Sequence, residues 1–317
     1  MSTSRRGDRI AVIGAGHVGA TSAYALLLNG VGREIVIVDR DRRRAEGEAM
    51  DVSHAIPLAS AVRVWAGGYE ETASAAVAVI AAGAAGVAGE SRLDLLGRNA
   101  GVVRSIVGDL RAAGFEGIIL MTTNPVDILA QLAQEESGFA PARVIGSGTV
   151  LDTSRLRQML GEETGVDPRS IHAYIVGEHG DSEVAAWSAA RVGGVPLVEF
   201  AGTGLADRDE LLTRVRRAAG EIIERKGYTS FAIASSVARI CAAILRDERA
   251  ILPVSTLTAG EHGIEGVYLS LPCVVGAQGV ERTLELPLND AEVEGLRRSA
   301  EILRTNYESV RRAKYES

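Results

Sequence analysis

Short apolar runs alternate with helical patterns throughout the first half of the chain. Continuous apolar runs predict strands at Ile10–Ile13, Glu34–Val38, Val77–Ala82, Gly117–Met121 and Arg143–Gly146. Apolar residues at helical spacing predict intervening helices at Val18–Asn29, Arg42–Ala55, Leu93–Ala113 and Val126–Gln134. Strands that are apolar on both faces and are separated by helices indicate an α/β fold with a parallel, doubly wound sheet.

The pattern changes after about Ser147. Helical stretches there alternate with turn-rich segments, and two apolar runs read as an antiparallel pair of strands. The predicted helices are Asp152–Glu163, Arg208–Lys226, Thr229–Arg246 and a closing helix Asp290–Arg312, and the strands are Ile251–Thr258 and Val267–Val275. Asn289 or Asp290 is the expected N-cap of the closing helix. We therefore expect one domain over residues 1–148 and a second, α+β domain over residues 149–317, with the active site in the crevice between them.

Composition narrows the class of function. The chain has 317 residues, 46% hydrophobic and 24% charged, with a net charge of −7. This acidic balance argues against nucleic-acid and anionic-membrane partners, which prefer basic surfaces. The uncharged stretch 72–89 reads as a strand running into a loop rather than a membrane helix. Cys241 and Cys273 show no ligand spacing, so we expect reduced thiols, a cytoplasmic protein and no metal site.

A glycine-rich loop follows the first predicted strand and opens the first helix. It reads Gly14-Ala15-Gly16-His17-Val18-Gly19. In such a loop the first glycine permits a tight turn, the second admits a pyrophosphate, and the third lets the helix pack closely on the strand. Asp39 lies twenty residues beyond Gly19 at the end of the second strand, where a carboxylate accepts ribose hydroxyls and repels a 2′-phosphate. The loop predicts NAD rather than NADP, although Arg40 weakens that preference; the alternative is a plain turn beside a surface aspartate.

His179 stands between glycines in Gly177-Glu178-His179-Gly180-Asp181. An imidazolium whose second nitrogen is held by a carboxylate can donate a proton to a carbonyl oxygen near neutral pH. Asp152 fits that carboxylate role; its alternative role is a simple helix N-cap.

Two arginines complete a site for a small 2-oxo acid. Arg155 lies three residues after Asp152 on the same helix face, where it can grip a carboxylate through two hydrogen bonds or simply pair with Asp152. Arg92 follows a loop punctuated by Gly83, Gly86 and Gly89, which could close as a lid and bring it to the carbonyl oxygen. The alternative for Arg92 is a solvated residue at a helix start.

These motifs together resemble the L-lactate/malate dehydrogenase family, and within it the bacterial L-lactate dehydrogenase branch. The resemblance covers the chain from about Arg9 to Leu303. The segments that carry it are Gly14–Gly19, Asp39, Gly89–Leu95, Thr123–Asp127, Ser147–Thr149, Leu151–Arg155, Gly177–Asp181 and Lys226–Ser230. It implies a Rossmann-type NAD-binding domain followed by a catalytic domain, and a glycolytic oxidoreductase.

The resemblance also implies residue roles. His179 is the acid–base residue with Asp152 as its partner, and Arg92 polarises the substrate carbonyl. The implied substrate-binding positions are Gly86, Arg92, Asn124, Arg155 and Thr229. The implied NAD-binding positions are Gly14, Gly16, Val18, Gly19, Asp39, Tyr69, Gly83, Ala84, Ser105, Asn124, Ser147 and Ile233.

The family is usually tetrameric and sometimes dimeric, so the resemblance implies a homotetramer. Some bacterial members are activated by fructose 1,6-bisphosphate at a subunit interface through an arginine and a histidine. Arg157 and His172 match those positions. The same pair also occurs in members that do not respond, so activation and its absence are both open.

One position departs from the family pattern. Gly86 stands where the similar lactate enzymes carry glutamine and the malate enzymes carry arginine. Without a cation there, oxaloacetate is disfavoured. We expect L-lactate/pyruvate chemistry; the alternative is a broad or long-chain L-2-hydroxy-acid dehydrogenase, such as a hydroxyisocaproate type. A malate dehydrogenase and a non-catalytic NAD-binding protein are the less favoured alternatives.

Overall fold

The computed structural model describes residues 7–84, 92–202 and 207–313. The α-helices in these ranges are α1 His17–Leu28, α2 Arg42–His54, α3 Arg92–Ala112, α4 Val126–Ser137, α5 Val150–Thr164, α6 Leu197–Ala201, α7 Arg208–Lys226, α8 Phe231–Leu245 and α9 Asp290–Ala313. The strands are β1 Arg9–Ile13, β2 Glu34–Val38, β3 Arg63–Ala66, β4 Val77–Ile80, β5 Ile118–Met121, β6 Val144–Gly146, β7 Ile171–His172, β8 Ile175–Val176, β9 Val184–Ala185, β10 Arg191–Val192, β11 Val195–Pro196, β12 Ala250–Ala259, β13 Glu265–Gly276 and β14 Gly279–Thr283. No helix in these ranges is long and apolar enough to cross a bilayer.

The predicted doubly wound sheet is confirmed. Six parallel strands lie in the order β3-β2-β1-β4-β5-β6. The chain adds strands outward on one side of β1 as far as β3 and then on the other side from β4 to β6. In folds of this strand order, dinucleotides bind at the point between β1 and β4 where the order reverses. The sequence analysis placed no strand at β3, a four-residue strand at the edge of the sheet with one exposed and two half-buried positions.

Alternate residues of β1 pack into cores on opposite faces of the sheet, as the pleat requires. Ala11 and Ile13 face one core, and Ile10 and Val12 face the other, all at most 2% exposed. Helices α3, α4 and α9 supply apolar side chains to the first core, and α1, α2 and α8 supply them to the second. Burial on both faces explains why these strands are uniformly apolar.

The sheet continues past the expected boundary at residue 148. β12 and β13 are antiparallel, as predicted, and with β14 they extend the sheet to nine strands. The junction is antiparallel pairing of β6 with β12, where Ser255 opposes Gly146. A Cβ at Gly146 would lie 2.8 Å from the Ser255 Cβ, so the close approach of the two strands requires glycine.

Outside the sheet, a third core contains α5 and α7 together with the short strands β7 and β10. The closing helix α9 begins at Asp290, and Asn289 is its N-cap. The Asn289 side chain accepts a hydrogen bond from the Glu292 amide at 2.9 Å, and the Glu292 carboxylate accepts one from the Asn289 amide at 3.1 Å. This reciprocal capping fixes the start of α9.

Candidate active site

The carboxyl edge of the parallel strands gathers most positions expected to bind NAD. Gly14 follows β1, Asp39 follows β2, Gly83 lies just beyond β4, Asn124 follows β5, and Ser147 follows β6. Ser147 is buried, whereas Gly83 and Asn124 are exposed at this edge. Parallel strands thus bring these chain-distant residues to one edge of the sheet.

The glycine loop has the geometry that a pyrophosphate requires. Gly14 has φ +106° and lies against the backbone of Ala82, which a Cβ would approach to 2.6 Å. A Cβ at Gly19 would lie 1.8 Å from the Gly14 carbonyl oxygen, so helix α1 packs directly on the turn. At Gly16, by contrast, a Cβ would meet nothing within 4 Å. Two glycines therefore serve packing, and the third leaves open space at the N-terminus of α1, which fits a bound diphosphate.

Asp39 is tied to this loop. Its carboxylate accepts hydrogen bonds from the Ala15 amide at 2.6 Å and from the Asp41 amide at 2.8 Å. Because an ionised carboxylate has about four acceptor positions, acceptor capacity remains for ribose hydroxyls. Arg40 beside it is exposed.

Asn99 was not singled out from the sequence, yet it joins two of the predicted positions. Its side-chain oxygen accepts from the Ala84 amide at 2.7 Å, and its side-chain nitrogen donates to the Asn124 carbonyl at 3.0 Å. Asn99 is 3% exposed on α3. It thus ties the segments after β4 and β5 together, a role that only the tertiary structure reveals.

The remaining expected NAD contacts lie on separate elements. Val18 is half-buried in the first turn of α1, Tyr69 begins a short 3-10 helix, Ser105 is exposed on α3, and Ile233 is half-buried near the start of α8. Burial, with Asp109 and Asp39 nearby, raises the pKa of Tyr69 to about 12, so it remains a neutral hydroxyl.

The loop between β8 and β9 presents His179. Gly177 exchanges two backbone hydrogen bonds of 2.9 Å with Ser270 of β13, and the Glu178 amide donates to Ser299 Oγ at 2.8 Å. Gly177 has φ +91°, and a Cβ there would lie 2.8 Å from Ser299 Oγ. A larger residue would displace the loop, so glycine at this position sets the position of His179.

His179, Asp152 and Arg155, which the sequence predicts to act together, are in contact in the structure. His179 Nδ1 lies 2.5 Å from Asp152 Oδ2, and Arg155 donates to Asp152 Oδ1 at 2.7 Å. Their side chains are 22%, 3% and 12% exposed for His179, Asp152 and Arg155 respectively. Helix α5 begins at Val150, so Asp152 lies inside it and the N-cap alternative is wrong. The ion pair between Arg155 and Asp152, which the sequence offered as the alternative to substrate binding, is present.

This arrangement keeps a proton on His179. Burial works against the charged ring, but Asp152, and to a smaller extent Asp127 and Glu183, raise the pKa of His179 to about 9. Burial also disfavours the charge on Asp152, yet His179 and Arg155 hold the pKa of Asp152 below its ordinary value. A buried imidazolium–carboxylate pair at neutral pH is suited to proton donation.

Two further buried carboxyl groups surround the pair and were missed from the sequence. Asp127 on α4 accepts a hydrogen bond from the His179 amide at 2.9 Å, and burial raises its pKa to about 6. Glu183 is 2% exposed, and burial followed by the charge of Asp152 raises its pKa to about 8. Acidic residues in or near a loop are usually expected to be exposed to solvent. Only the burial seen in the structure assigns Asp127 and Glu183 to the site.

Comparison with known proteins agrees with this geometry. Residues 8–146 match the NAD binding domain of lactate/malate dehydrogenases, and residues 149–313 match their alpha/beta C-terminal domain. The chain belongs to the lactate/malate dehydrogenase family. The NAD-binding match confirms NAD as the cofactor.

Relatives within this family align along nearly the full chain. An L-lactate dehydrogenase of Clostridium botulinum (strain 657 / Type Ba4) is 46% identical over 96% of this chain and 97% of its own length. One from Thermoanaerobacter sp. (strain X514) is 46% identical over 94% and 97%. The ligand-bound structure of the minor L-lactate dehydrogenase from Enterococcus mundtii matches with a TM-score of 0.94 at 41% identity, covering 96% of this chain and 99% of that one.

The remaining residues that the sequence assigns to the substrate lie at three places in this lactate/malate dehydrogenase chain. Arg92 begins α3, while Gly86 and Gly89 lie outside the described residues. Thr229 is half-buried in the short connection between α7 and α8. Within the described ranges, no group of three or more His, Cys, Asp or Glu residues could hold a metal ion.

The two residues expected at a regulatory interface are close to each other. Arg157 on α5 donates to the Ala173 carbonyl at 2.9 Å, directly beside His172, and stacks over Tyr174 at 4.9 Å. His172 is exposed on β7. Both residues therefore belong to one region, on the third core rather than on the NAD-binding sheet.

Proposed function

We propose that this chain is an NAD-dependent L-lactate dehydrogenase that interconverts pyruvate and L-lactate. The observation that carries the proposal is the His179–Asp152–Arg155 arrangement, with contacts of 2.5 and 2.7 Å to one buried carboxylate. Asp152 holds both a proton donor, His179, and an arginine, Arg155, that can bind the carboxylate of a small 2-oxo acid. The names of its relatives, which are L-lactate dehydrogenases at 46% identity, support the same substrate.

Each residue has a definite task in this reaction. NADH, when bound at the glycine loop, supplies the hydride to the carbonyl carbon. His179 donates its proton to the carbonyl oxygen, and Asp152 stabilises the imidazolium and orients the ring through Nδ1. Arg155 binds the substrate carboxylate, Arg92 polarises the carbonyl, and Asn124 and Thr229 orient and enclose the substrate. In lactate oxidation, neutral His179 accepts the hydroxyl proton.

A broader L-2-hydroxy-acid dehydrogenase is the second candidate, and Gly86 is the observation that favours it. A glycine removes the side chain that would contact the third carbon of pyruvate, so a longer 2-oxo acid gains room. The deciding experiment follows NADH absorbance with pyruvate, oxaloacetate, 2-oxoisocaproate and phenylpyruvate. The highest kcat/KM with pyruvate supports the lactate assignment, whereas a preference for 2-oxoisocaproate or phenylpyruvate rejects it.

Substitutions at Gly86 test the same point from the protein side. Gly86→Arg supplies a cation for a second carboxylate and should raise kcat/KM for oxaloacetate relative to pyruvate. Gly86→Gln should narrow the range of accepted substrates. If both variants and the wild type rank the four acids identically, residue 86 does not face the substrate.

The oligomer that we propose is a cytoplasmic homotetramer. Leu28, Met50 and Leu58 are 50%, 61% and 90% exposed on and after the adjacent helices α1 and α2, which suits burial against a second copy. Light scattering should give about four times the chain mass of 33.3 kDa.

A regulatory proposal concerns Arg157 and His172. If these two residues bind fructose 1,6-bisphosphate, this ligand should lower KM for pyruvate, and Arg157→Gln should abolish the response.

A further inference from the structure

The rings of His17 and Tyr228 are stacked, although 211 positions separate them in the sequence. Their centroids are 3.9 Å apart and their planes are 8° from parallel. His17 is exposed and Tyr228 is half-buried. Neither ring belongs to a core, so filling of the interior does not explain the contact.

The stack joins the two helix starts that flank the cofactor site. His17 is the first residue of α1, directly after Gly16, where the diphosphate fits. Tyr228 lies two residues before Ser230, the N-cap of α8. The two helices pack against each other along the second core. Their N-terminal ends are therefore connected at the surface as well as through the core.

A cation extends the stack. The Lys226 ammonium lies 4.5 Å from the centroid of the Tyr228 ring and 4.1 Å from that of Phe231. Because His17 covers one face of Tyr228, this ammonium lies over the other face. The Tyr228 ring is thus held between residues from the glycine loop and from the end of α7.

The segment that Tyr228 anchors leads directly to the proposed substrate pocket. α7 ends at Lys226, and Gly227, with a φ of +85°, is its C-cap. Thr229, proposed to line the substrate pocket, is next to Tyr228 in the sequence. The position of Thr229 relative to the glycine loop therefore depends on how Tyr228 is held.

We propose that the His17–Tyr228 stack is a positioning contact that couples the NAD-binding loop to the substrate-binding segment around Thr229. The proposal rests on the assignment of Thr229 to the substrate pocket. NADH docking at the N-terminus of α1 fixes His17, and His17 then fixes Tyr228 and with it Thr229. Loss of the stack should weaken substrate binding in the NADH-bound enzyme and leave hydride transfer from bound substrate nearly unchanged.

Steady-state kinetics at saturating NADH test this coupling with His17→Leu, Tyr228→Leu and the double variant. Each single variant should raise KM for pyruvate about 2- to 12-fold, the range that an aromatic pair is worth, with kcat changed less than about twofold. The double variant should be no worse than Tyr228→Leu, because loss of either ring already removes the stack. His17→Phe keeps a stacking ring and should restore KM. His54→Leu, an exposed histidine at the end of α2, is the matched control.

An unchanged pyruvate KM in both single variants overturns the proposal, as does full additivity in the double variant. A loss of NADH affinity in His17→Leu with normal KM in Tyr228→Leu also overturns it, because His17 would then act on the cofactor alone. A fall in melting temperature without a change in KM would mean that the stack only stabilises the fold. If the wild type itself prefers another 2-oxo acid, the substrate proposal fails, and the same cycle is measured with that acid.

Discussion

The NAD-binding edge and the acid–base centre of this protein are built in opposite ways. At the NAD-binding edge, backbone positions decide the geometry. A Cβ at Gly14 would lie 2.6 Å from the nearest main-chain atom, and a Cβ at Gly19 would lie 1.8 Å from one. At the acid–base centre, buried side chains decide it, since Asp127 of α4, Asp152 of α5 and Glu183 of the β8–β9 loop lie around His179. The first site depends on the space that side chains leave free, and the second depends on the charges that they bring together.

This difference implies different kinds of sensitivity. A change at the NAD-binding edge should alter affinity for the cofactor through shape. A change at the acid–base centre should alter rate and pH dependence through charge, with the fold and the cofactor site intact.

His179→Ala should separate the two regions most clearly. Loss of a general acid costs about 10²–10⁴ in rate, while the glycine loop is untouched. Pyruvate reduction and NADH binding are measured in parallel, the latter by fluorescence titration. Retention of half the wild-type kcat would mean that His179 is not the proton donor.

Gly19→Ala should have the converse effect. The added Cβ would stand 1.8 Å from the Gly14 carbonyl, so the loop must shift by an ångström or more. A misplacement of that size is worth about 10²-fold, and here it should appear in NADH affinity. Gly47→Ala in α2, where a Cβ meets nothing within 4 Å, is the control and should bind NADH normally. Equal affinities in the two variants would contradict the packing role of Gly19.

Arg155→Lys tests whether the acid–base centre needs geometry as well as charge. Lysine keeps the positive charge near Asp152 but loses the planar fork that binds a carboxylate with two hydrogen bonds. We expect KM for pyruvate to rise about tenfold to hundredfold, as for one lost hydrogen bond to a charged group. A KM near that of the wild type would reduce Arg155 to an ion-pair partner of Asp152.

Glu183→Gln should give the smallest effect, a displaced pH profile. His179 has a pKa of about 9, so pyruvate reduction in the wild type should fall as pH rises through 9 and the proton is lost. The negative charge on Glu183 helps to raise that pKa, so its removal should move the fall to lower pH. Glu221→Gln removes an exposed carboxylate that pairs with Arg225 on α7 and should leave the profile unchanged. A shift to higher pH would reverse the assigned role of Glu183.

The same contrast explains what could be predicted from the sequence. The glycine loop, Asp39 and the parallel strands follow from local patterns, because backbone requirements restrict residue type at fixed spacing. The pairing of His179 with Asp152 could be inferred from chemical need. Asn99, Asp127 and Glu183 could not, because polar residues in a helix or loop look the same in sequence whether buried or solvated. β3 was missed because it is a short edge strand whose apolar run is only three residues long.

The junction between β6 and β12 has a consequence for dividing this chain into parts. A fragment ending at residue 148 would contain all six parallel strands, yet its β6 would lose the strand that covers its outer edge. Unpaired backbone donors and acceptors along such an edge recruit strands from other molecules. The isolated nucleotide-binding half should therefore aggregate unless its new edge is protected, even though its glycine loop and its pattern of strands and helices are complete.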